Sequence, residues 1–135
     1  MFIVRQYKEE DFNDVSRIIK EAFSIDKVKN IFDDNYLELV AELNNKVVGY
    51  LVISKIRNIV LDKYYYHVDY VCVDSNYQNM GIGRELMLEV DRLAIKNNIM
   101  YIELTSNKSR EAAHHLYEKL GYEKRDSFIF RRTIW

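Results

Sequence analysis

The sequence has no proline, only four glycines and a single cysteine among 135 residues. A lone Cys72 cannot form an internal disulfide, so we expect a reducing, cytoplasmic compartment. There is no run of about 18 apolar residues, and the N-terminus lacks the apolar stretch of a secretory signal, so we expect no membrane contact. The net charge of −1 leaves no basic surplus, which argues against nucleic acid as a partner.

What is present is an ordinary globular composition, with 48% hydrophobic and 30% charged residues. At this length we expect one domain spanning residues 1–135. Apolar patterning predicts strands over residues 2–7, 36–43, 46–57, 64–73 and 100–105, and a last strand containing Phe128, Phe130 and Ile134. Helical spacing predicts helices from about Asp11, Ile82 and Arg110, while residues 24–35 fit a short helix or a loop. This order predicts an α/β (α+β) fold in which helices cover both faces of a mixed sheet.

The most distinctive segment joins the fourth predicted strand to a helix through two glycines. Gly81 and Gly83 follow a polar loop, residues 74–80, and open the helix. The first turn of a helix offers N–H groups and partial positive charge, and glycines let a phosphate approach closely. A dinucleotide-binding loop would need glycine where Leu86 stands, and a P-loop would need Gly-Lys-Ser/Thr. The loop therefore predicts a diphosphate cradle of another kind, with a simple tight turn as the alternative.

Two motifs together resemble one protein family. Gln78-x-x-Gly81-x-Gly83 is similar to the Q/R-x-x-G-x-G/A signature of the GNAT acetyltransferase superfamily. The segment from Ala113 through Tyr117 to Tyr122 resembles the A-x-x-L-Y-x-K-L-G-F/Y helix of the same superfamily. The order of elements fits along essentially the whole chain. The resemblance implies a mostly antiparallel twisted sheet of about six to seven strands, splayed at the central strands, with about three to four helices on both faces.

The resemblance also implies acetyl-coenzyme A as the acyl donor. Backbone N–H groups of the glycine loop would hold its diphosphate, and the edge of the fourth strand would pair with its pantetheine arm. The residues expected to bind coenzyme A are Val71, Cys72, Val73, Gln78, Asn79, Met80, Gly81, Ile82, Gly83, Arg84, Asn107 and Arg110. Two departures from the family pattern are Ser75, where many members have proline, and Arg110, where many have asparagine; Asn107 lies three residues before that position. We expect no metal, because no His, Cys and carboxylate residues show ligand spacing.

The chemistry requires a base, because an alkylamine with a pKa of about 10.4 must lose a proton before it attacks a thioester. Asp69 is the first candidate: it stands two residues before Val71, is expected on the same strand face, and matches a strand carboxylate of many relatives. Glu103 and a relay through ordered water are alternatives. The resemblance assigns Tyr117 as the general acid. Cys72 is expected to point away from the face of Val71, so we expect no nucleophilic role for it.

These interpretations predict transfer of an acetyl group from acetyl-coenzyme A to a primary amine of a small molecule. Arg110, His114 and Tyr117 resemble a branch of the superfamily whose members acetylate small amines, including aminoglycosides and aminoalkylphosphonates. A protein or peptide N-acetyltransferase and a non-catalytic acyl-coenzyme A sensor are the alternatives. The acceptor and the acyl chain preference stay open at this point. The apolar C-terminal segment with Phe128, Phe130 and Trp135 also leaves a homodimer open.

Overall fold

The computed structural model describes residues 1–31 and 33–135, in two compact units of residues 1–105 and residues 106–135. Phe32, in the stretch for which a helix or loop was expected, lies outside the described residues. The elements of the first unit are β1 (Phe2–Gln6), α1 (Phe12–Phe23), β2 (Tyr36–Leu43), β3 (Lys46–Asn58), β4 (Lys63–Val73), α2 (Ile82–Lys96) and β5 (Ile102–Leu104). The second unit contains α3 (Glu111–Lys119). The expectation that residues 1–135 form one domain stays a prediction.

The strands of the first unit form one sheet in the order β1-β2-β3-β4-β5. All neighbours are antiparallel except β4 and β5, which run parallel. The mixed, mostly antiparallel sheet is therefore confirmed. The Asn44-Asn45 turn between β2 and β3 is a tight hairpin with φ of 49° and 64°, values that asparagine tolerates better than most residues.

The expected strand count of about six to seven is corrected to five among the described residues. The predicted last strand is the source of the difference, because residues 122–135 contain no helix or strand. Phe128, Phe130 and Ile134 are exposed by 83%, 93% and 83%. Apolar alternation indicates which side chains would share a face, but a strand also needs the N–H and C=O groups of a neighbour. No described strand pairs with this segment.

Helices cover both faces of the sheet, as predicted. On one side, which we call the α1 face, Val15, Ile18 and Ile19 of α1 pack with a buried set from three strands: Val40, Val47, Tyr50 and Cys72. On the other side, the α2 face, Ile82 and Leu86 approach Gly49 of β3. Gly49 and Tyr50 are adjacent in β3, so their positions belong to opposite faces.

A β-bulge interrupts β4 just before its C-terminal end. In the register with β3, Asp69 stands opposite Val52 and Cys72 opposite Tyr50, so two residues of β4 face one residue of β3. Tyr70, inside the bulge, has a left-handed φ of 55°. The bulge places Asp69 on the α1 face together with Cys72. This corrects the expectation that Asp69 shares a face with Val71, which assumed unbroken alternation.

The predicted splay of the central strands falls next to this bulge. β5 pairs with β4 from Tyr66 to Val68. β4 then continues to Val73, beyond the last residue that pairs with β5. The pairing of β4 with β5 thus ends just before Asp69 and before the residues expected to bind coenzyme A, Val71, Cys72 and Val73.

Candidate active site

The loop after β4 is anchored by a buried carboxylate, Asp74, which is 2% exposed. Its Oδ1 accepts the N–H of Asn76 at 3.0 Å, and its Oδ2 accepts Nη1 of Arg17 from α1 at 2.9 Å. Burial opposes ionisation, but the Asn76 N–H and the Arg17 guanidinium outweigh it and hold the pKa of Asp74 below its usual value. Sequence reasoning did not single out Asp74, because its partner Arg17 is remote in the chain.

Gln78, the first residue of the glycine motif, holds the loop against the strand. Its side-chain Nε2 donates to the Val73 carbonyl at 3.0 Å. Two left-handed residues follow, Asn79 with φ of 62° and Gly81 with φ of 81°. An added Cβ at Gly81 would meet open space, so glycine suits this position because of its backbone conformation. The loop thereby turns sharply from the end of β4 into α2.

The N-terminus of α2 fits the diphosphate of coenzyme A. The first intrahelical bond runs from the Glu85 N–H to the Gly81 carbonyl at 3.0 Å, so the N–H groups of Ile82, Gly83 and Arg84 precede it. The N-cap residue, Gly81, supplies no side-chain hydrogen bond to this end of the helix. Uncapped N–H groups at the positive end of the helix dipole are suited to an anion. The Ile82 side chain is buried, so Ile82 can offer only its backbone.

Gly49 of β3 allows the start of α2 to pack closely against the sheet. A Cβ built on Gly49 would lie 2.7 Å from Cγ2 of Ile82 and 3.1 Å from Cδ1 of Leu86. Glycine is therefore needed for close approach, directly beneath the first turn of α2. Sequence reasoning assigned no role to Gly49. A glycine within an otherwise apolar strand was the available signal.

The two candidate bases lie around one histidine on the α1 face. Oδ1 of Asp69 is 3.4 Å from Nε2 of His67, and the Asp69 side chain is 46% exposed. Glu103 of β5 stands opposite His67 in the parallel register, and it is exposed. The structure thus brings both predicted carboxylates to one side of the sheet, open to solvent. It does not distinguish between them as the base.

Further along the same face is a hydrogen-bonded group that sequence reasoning missed. The Tyr50 hydroxyl donates to Oε1 of Glu38 at 2.6 Å, and the ring of Tyr7 meets that of Tyr50 edge-on at 6.5 Å. Burial and the Glu38 carboxylate raise the pKa of Tyr50 well above its usual value. Burial and nearby carboxylates, Glu38 first among them, raise the pKa of Tyr7 to about 12. Glu38 lies in β2, Tyr50 lies in β3 and Tyr7 directly follows β1, so their meeting depends on the sheet order.

In the second unit, Asn107, Arg110 and Tyr117 lie on and before α3. Asn107 Oδ1 accepts the Ser109 N–H at 2.9 Å, and the Asn107 carbonyl accepts the Arg110 N–H at 3.0 Å. Nε2 of His114 lies 2.9 Å from that same carbonyl. The same nitrogen lies 3.1 Å from Oγ of Ser106. Asn107 thus shapes the turn that precedes α3.

Tyr117 is buried on α3, with 8% exposure. Its ring lies 6.1 Å from that of Tyr122, and its carbonyl accepts the Tyr122 N–H at 3.0 Å. Gly121, with φ of 92°, follows the last residues of α3 in a left-handed conformation, as expected of a helix C-terminus.

Within residues 1–31 and 33–135, no group of three His, Cys, Asp or Glu residues could hold a metal ion. In the same residues, no helix is both long enough and apolar enough to cross a membrane.

Comparison with known proteins identifies the family. The profile of the Acetyltransferase (GNAT) family matches residues 3–122. Over 86 residues the chain is 35% identical to N-acetylaspartate synthetase of Xenopus tropicalis, a match that covers 62% of this chain and 30% of that protein. The match thus spans less than a third of the length of this curated relative.

Solved structures show the same fold at low sequence identity. An aminoglycoside acetyltransferase from an uncultured soil metagenomic sample superposes with a TM-score of 0.86 at 19% identity, over 99% of this chain and 97% of that one. The ribosomal-protein-alanine N-acetyltransferase of Brucella melitensis biovar Abortus 2308 gives 0.80 at 16% identity, over 97% and 99%.

The chain belongs to the Acetyltransferase (GNAT) family. Membership gives acetyl transfer as the reaction class and implies acetyl-coenzyme A as the acyl donor. The names of the similar proteins differ in what is acetylated, so they leave the acceptor of this chain open.

Proposed function

We propose that this chain transfers an acetyl group from acetyl-coenzyme A to a primary amine of a small molecule, by direct attack of the amine on the thioester. The observation that carries the proposal is the continuity of β4 with the uncapped N-terminus of α2. Asp69 stands on the strand, and Gly81 opens the helix that the same loop reaches. The helix end suits the diphosphate, and the carboxylate suits the amine proton.

In the proposed reaction, acetyl-coenzyme A supplies the acetyl group as an activated thioester. The amine nitrogen forms a C–N bond to the carbonyl carbon as the C–S bond breaks. Asp69 takes the proton that the nitrogen loses, directly or through water, and Tyr117 donates a proton to the leaving sulfur. Glu103 is the second candidate for the base, since it shares the face of His67. The role of Tyr117 rests on the family motif.

The proposed contacts to coenzyme A are mainly from the backbone. The N–H groups from Gln78 to Arg84 would hold the diphosphate, and the strand residues Val71, Cys72 and Val73 would pair with the pantetheine arm through their backbone groups. Cys72 is buried among core residues of the α1 face, which supports a backbone role over a thiol role. Asn107 and Arg110 are proposed as further contacts on the basis of the family motif.

The deciding experiment is a thiol-release assay with acetyl-coenzyme A against mono- and diamines, aminoglycosides, aminoalkylphosphonates, amino acids and short peptides. Release with small amines supports the proposal. Release only with peptides would replace it with a peptide acetyltransferase. Tight coenzyme binding by calorimetry without any release would favour a sensor.

We also propose a homodimer formed through the C-terminal segment. Phe130 and Trp135 are exposed by 93% and 109%, an amount of apolar surface that water disfavours. Light scattering on the full chain at micromolar concentration tests this, and a single monomeric peak would exclude a stable dimer.

For the compartment we propose the reducing cytoplasm, on the basis of the single free cysteine, Cys72. Fractionation of cells that produce the tagged chain would check it, and recovery outside the cytosolic fraction would contradict it.

A further inference from the structure

One carboxylate on the α1 face has no basic partner among the described residues. Glu38 accepts the Tyr50 hydroxyl and is half-buried, but no Lys, Arg or His forms an ion pair with it. Glu42, four residues further along β2, gives the contrast: Nη2 of Arg5 lies 2.7 Å from its Oε1. The two glutamates share a strand, a face and a burial class. They differ in whether the protein itself supplies the cation.

The surroundings of Glu38 are aromatic and negatively charged. The Tyr50 hydroxyl donates to Glu38, and the ring of Tyr7 meets that of Tyr50 edge-on. After burial, the groups that raise the pKa of Tyr7 are the carboxylates of Glu38, Asp11 and Glu9. Of these acids, Asp11 is paired with Arg5, whose Nη1 lies 2.8 Å from its Oδ2, whereas Glu38 has no ion pair among the described residues. An ammonium group would be stabilised here by the carboxylate of Glu38, next to the half-buried Tyr7.

The sheet register relates this carboxylate to the candidate base. Glu38 of β2 stands opposite Val52 of β3, and Val52 stands opposite Asp69 of β4. Neighbouring strands are about 4.8 Å apart, so the Cα atoms of Glu38 and Asp69 are roughly 10 Å apart on one face. Val52, which is half-buried, provides an apolar surface between two carboxylates.

We infer that Glu38 is a specificity-determining residue that binds a second cationic group of the acceptor, so that the preferred acceptor is a diamine or polyamine. This inference rests on the proposed function, with the reacting amine at Asp69. The distal ammonium of the acceptor forms an ion pair with Glu38, as the guanidinium of Arg5 does with Glu42. The methylene chain of the acceptor lies along Val52. Glu38 does not touch the reacting nitrogen, so it acts on acceptor binding and not on proton transfer.

The test is steady-state kinetics on α,ω-diaminoalkanes of increasing length, each compared with the n-alkylamine of the same carbon number. Wild type, Glu38→Gln and the matched control Glu42→Gln are measured with acetyl-coenzyme A in excess. We expect wild type to prefer the best diamine over its monoamine by about tenfold or more in kcat/KM, as one ion pair in a partly dry site allows. Glu38→Gln should raise KM for the diamine by about tenfold with little change in kcat or in monoamine kinetics.

The control and the fold are checked in parallel. Glu42→Gln should keep the diamine preference, and both variants should keep the thermal unfolding midpoint and the coenzyme affinity closely enough for the kinetics to be compared. If Glu38→Gln proves unstable, Glu38→Asp replaces it, and it should shift the preferred diamine towards a longer chain. That shift would follow from a carboxylate drawn back by one methylene.

The outcomes separate the inference from the proposed function. Equal use of mono- and diamines by wild type, or an undiminished diamine preference in Glu38→Gln, overturns the inference while acetyl transfer stands. A similar loss of preference in Glu42→Gln overturns it as well, since net charge would then be the cause. Absence of thiol release with every amine would overturn the proposed function, and this inference with it.

Discussion

Asp69 and Cys72 are three residues apart in β4, yet they lie on the same face of the sheet. They stand opposite Val52 and Tyr50, which are two residues apart in β3. The extra residue is accommodated by Tyr70, whose φ of 55° is left-handed. The bulge thus places a partly exposed carboxylate on the α1 face and keeps the neighbouring thiol in the core. The candidate base therefore depends on a local irregularity of the strand.

Asp69→Asn should lower kcat/KM by about 100-fold or more and remove the acid limb of the pH–rate profile, because the amide cannot accept the amine proton. Thiol-release assays over a series of pH values would measure both kcat/KM and the acid limb. Glu103→Gln is the paired variant, and it should keep both the rate and the limb. An unchanged profile in Asp69→Asn with a lost limb in Glu103→Gln would move the base to β5.

Tyr117→Phe should lower kcat by about tenfold or more while leaving coenzyme affinity in place, because only a proton donor is removed. The thiolate is a fair leaving group, so we expect the smaller end of the usual range for acid catalysis. Turnover assays and calorimetry with coenzyme A check both halves. Tyr122→Phe, whose ring lies 6.1 Å away in the same unit, is the control and should keep its turnover. Equal turnover in the two variants would remove Tyr117 from the mechanism.

Gly49→Ala should destabilise the fold by about 1–3 kcal/mol, because its new methyl would overlap Ile82, which is buried and cannot move freely. Since Ile82 stands between the two glycines of the cradle, coenzyme affinity should also fall. Urea unfolding and calorimetry measure the two effects. Ile95→Ala, at an exposed position of the same helix, should stay within about 0.5 kcal/mol of wild type. Unaltered stability in Gly49→Ala would mean that α2 is less closely packed than described.

Asp74→Asn should lower stability at neutral pH by about 1–3 kcal/mol and flatten its dependence on acid pH. The folded-state pKa of Asp74 is held below its unfolded value of about 3.9. At acid pH the folded state therefore binds fewer protons than the unfolded state does. The resulting stabilisation is complete above the unfolded pKa and is lost as pH falls through the folded pKa. Urea unfolding between about pH 2 and 7 measures it. Asp26→Asn, in an exposed loop, is the control and should follow the wild-type curve.

Several elements could be predicted because their cause is local. The helical stripe of Val15, Ile18 and Ile19, the Asn44-Asn45 turn and the glycine-opened start of α2 all follow from the residues at those positions. Backbone conformation at asparagine and glycine, and the period of apolar residues, need no knowledge of distant parts of the chain. The two family motifs added the reaction class, which the profile match over residues 3–122 confirmed.

Other features could not be predicted because they depend on pairing between remote residues. The face on which Asp69 lies depends on the bulge, in which β4 has one residue more than β3 between the pairs Asp69–Val52 and Cys72–Tyr50. Apolar alternation within β4 does not reveal this extra residue. The prediction of a last strand was wrong for the same reason, because an alternating segment forms a strand only when it pairs with the edge strand of a sheet. Gly49 was overlooked because the helix that it admits begins more than thirty residues later.

Local residue patterns were sufficient to predict the family, the five strands of the sheet and the glycine-opened start of α2, because each depends on residues that are close in the chain. The folded structure was needed to show that Asp69 turns to the α1 face, that Arg17 pairs with Asp74, and that Glu42 has a cationic partner whereas Glu38 has none among the described residues. These are relations between strands and helices that meet only in the folded chain. They could not be predicted from local pattern because strand register and helix packing depend on two segments together, whereas the period of a strand depends on one.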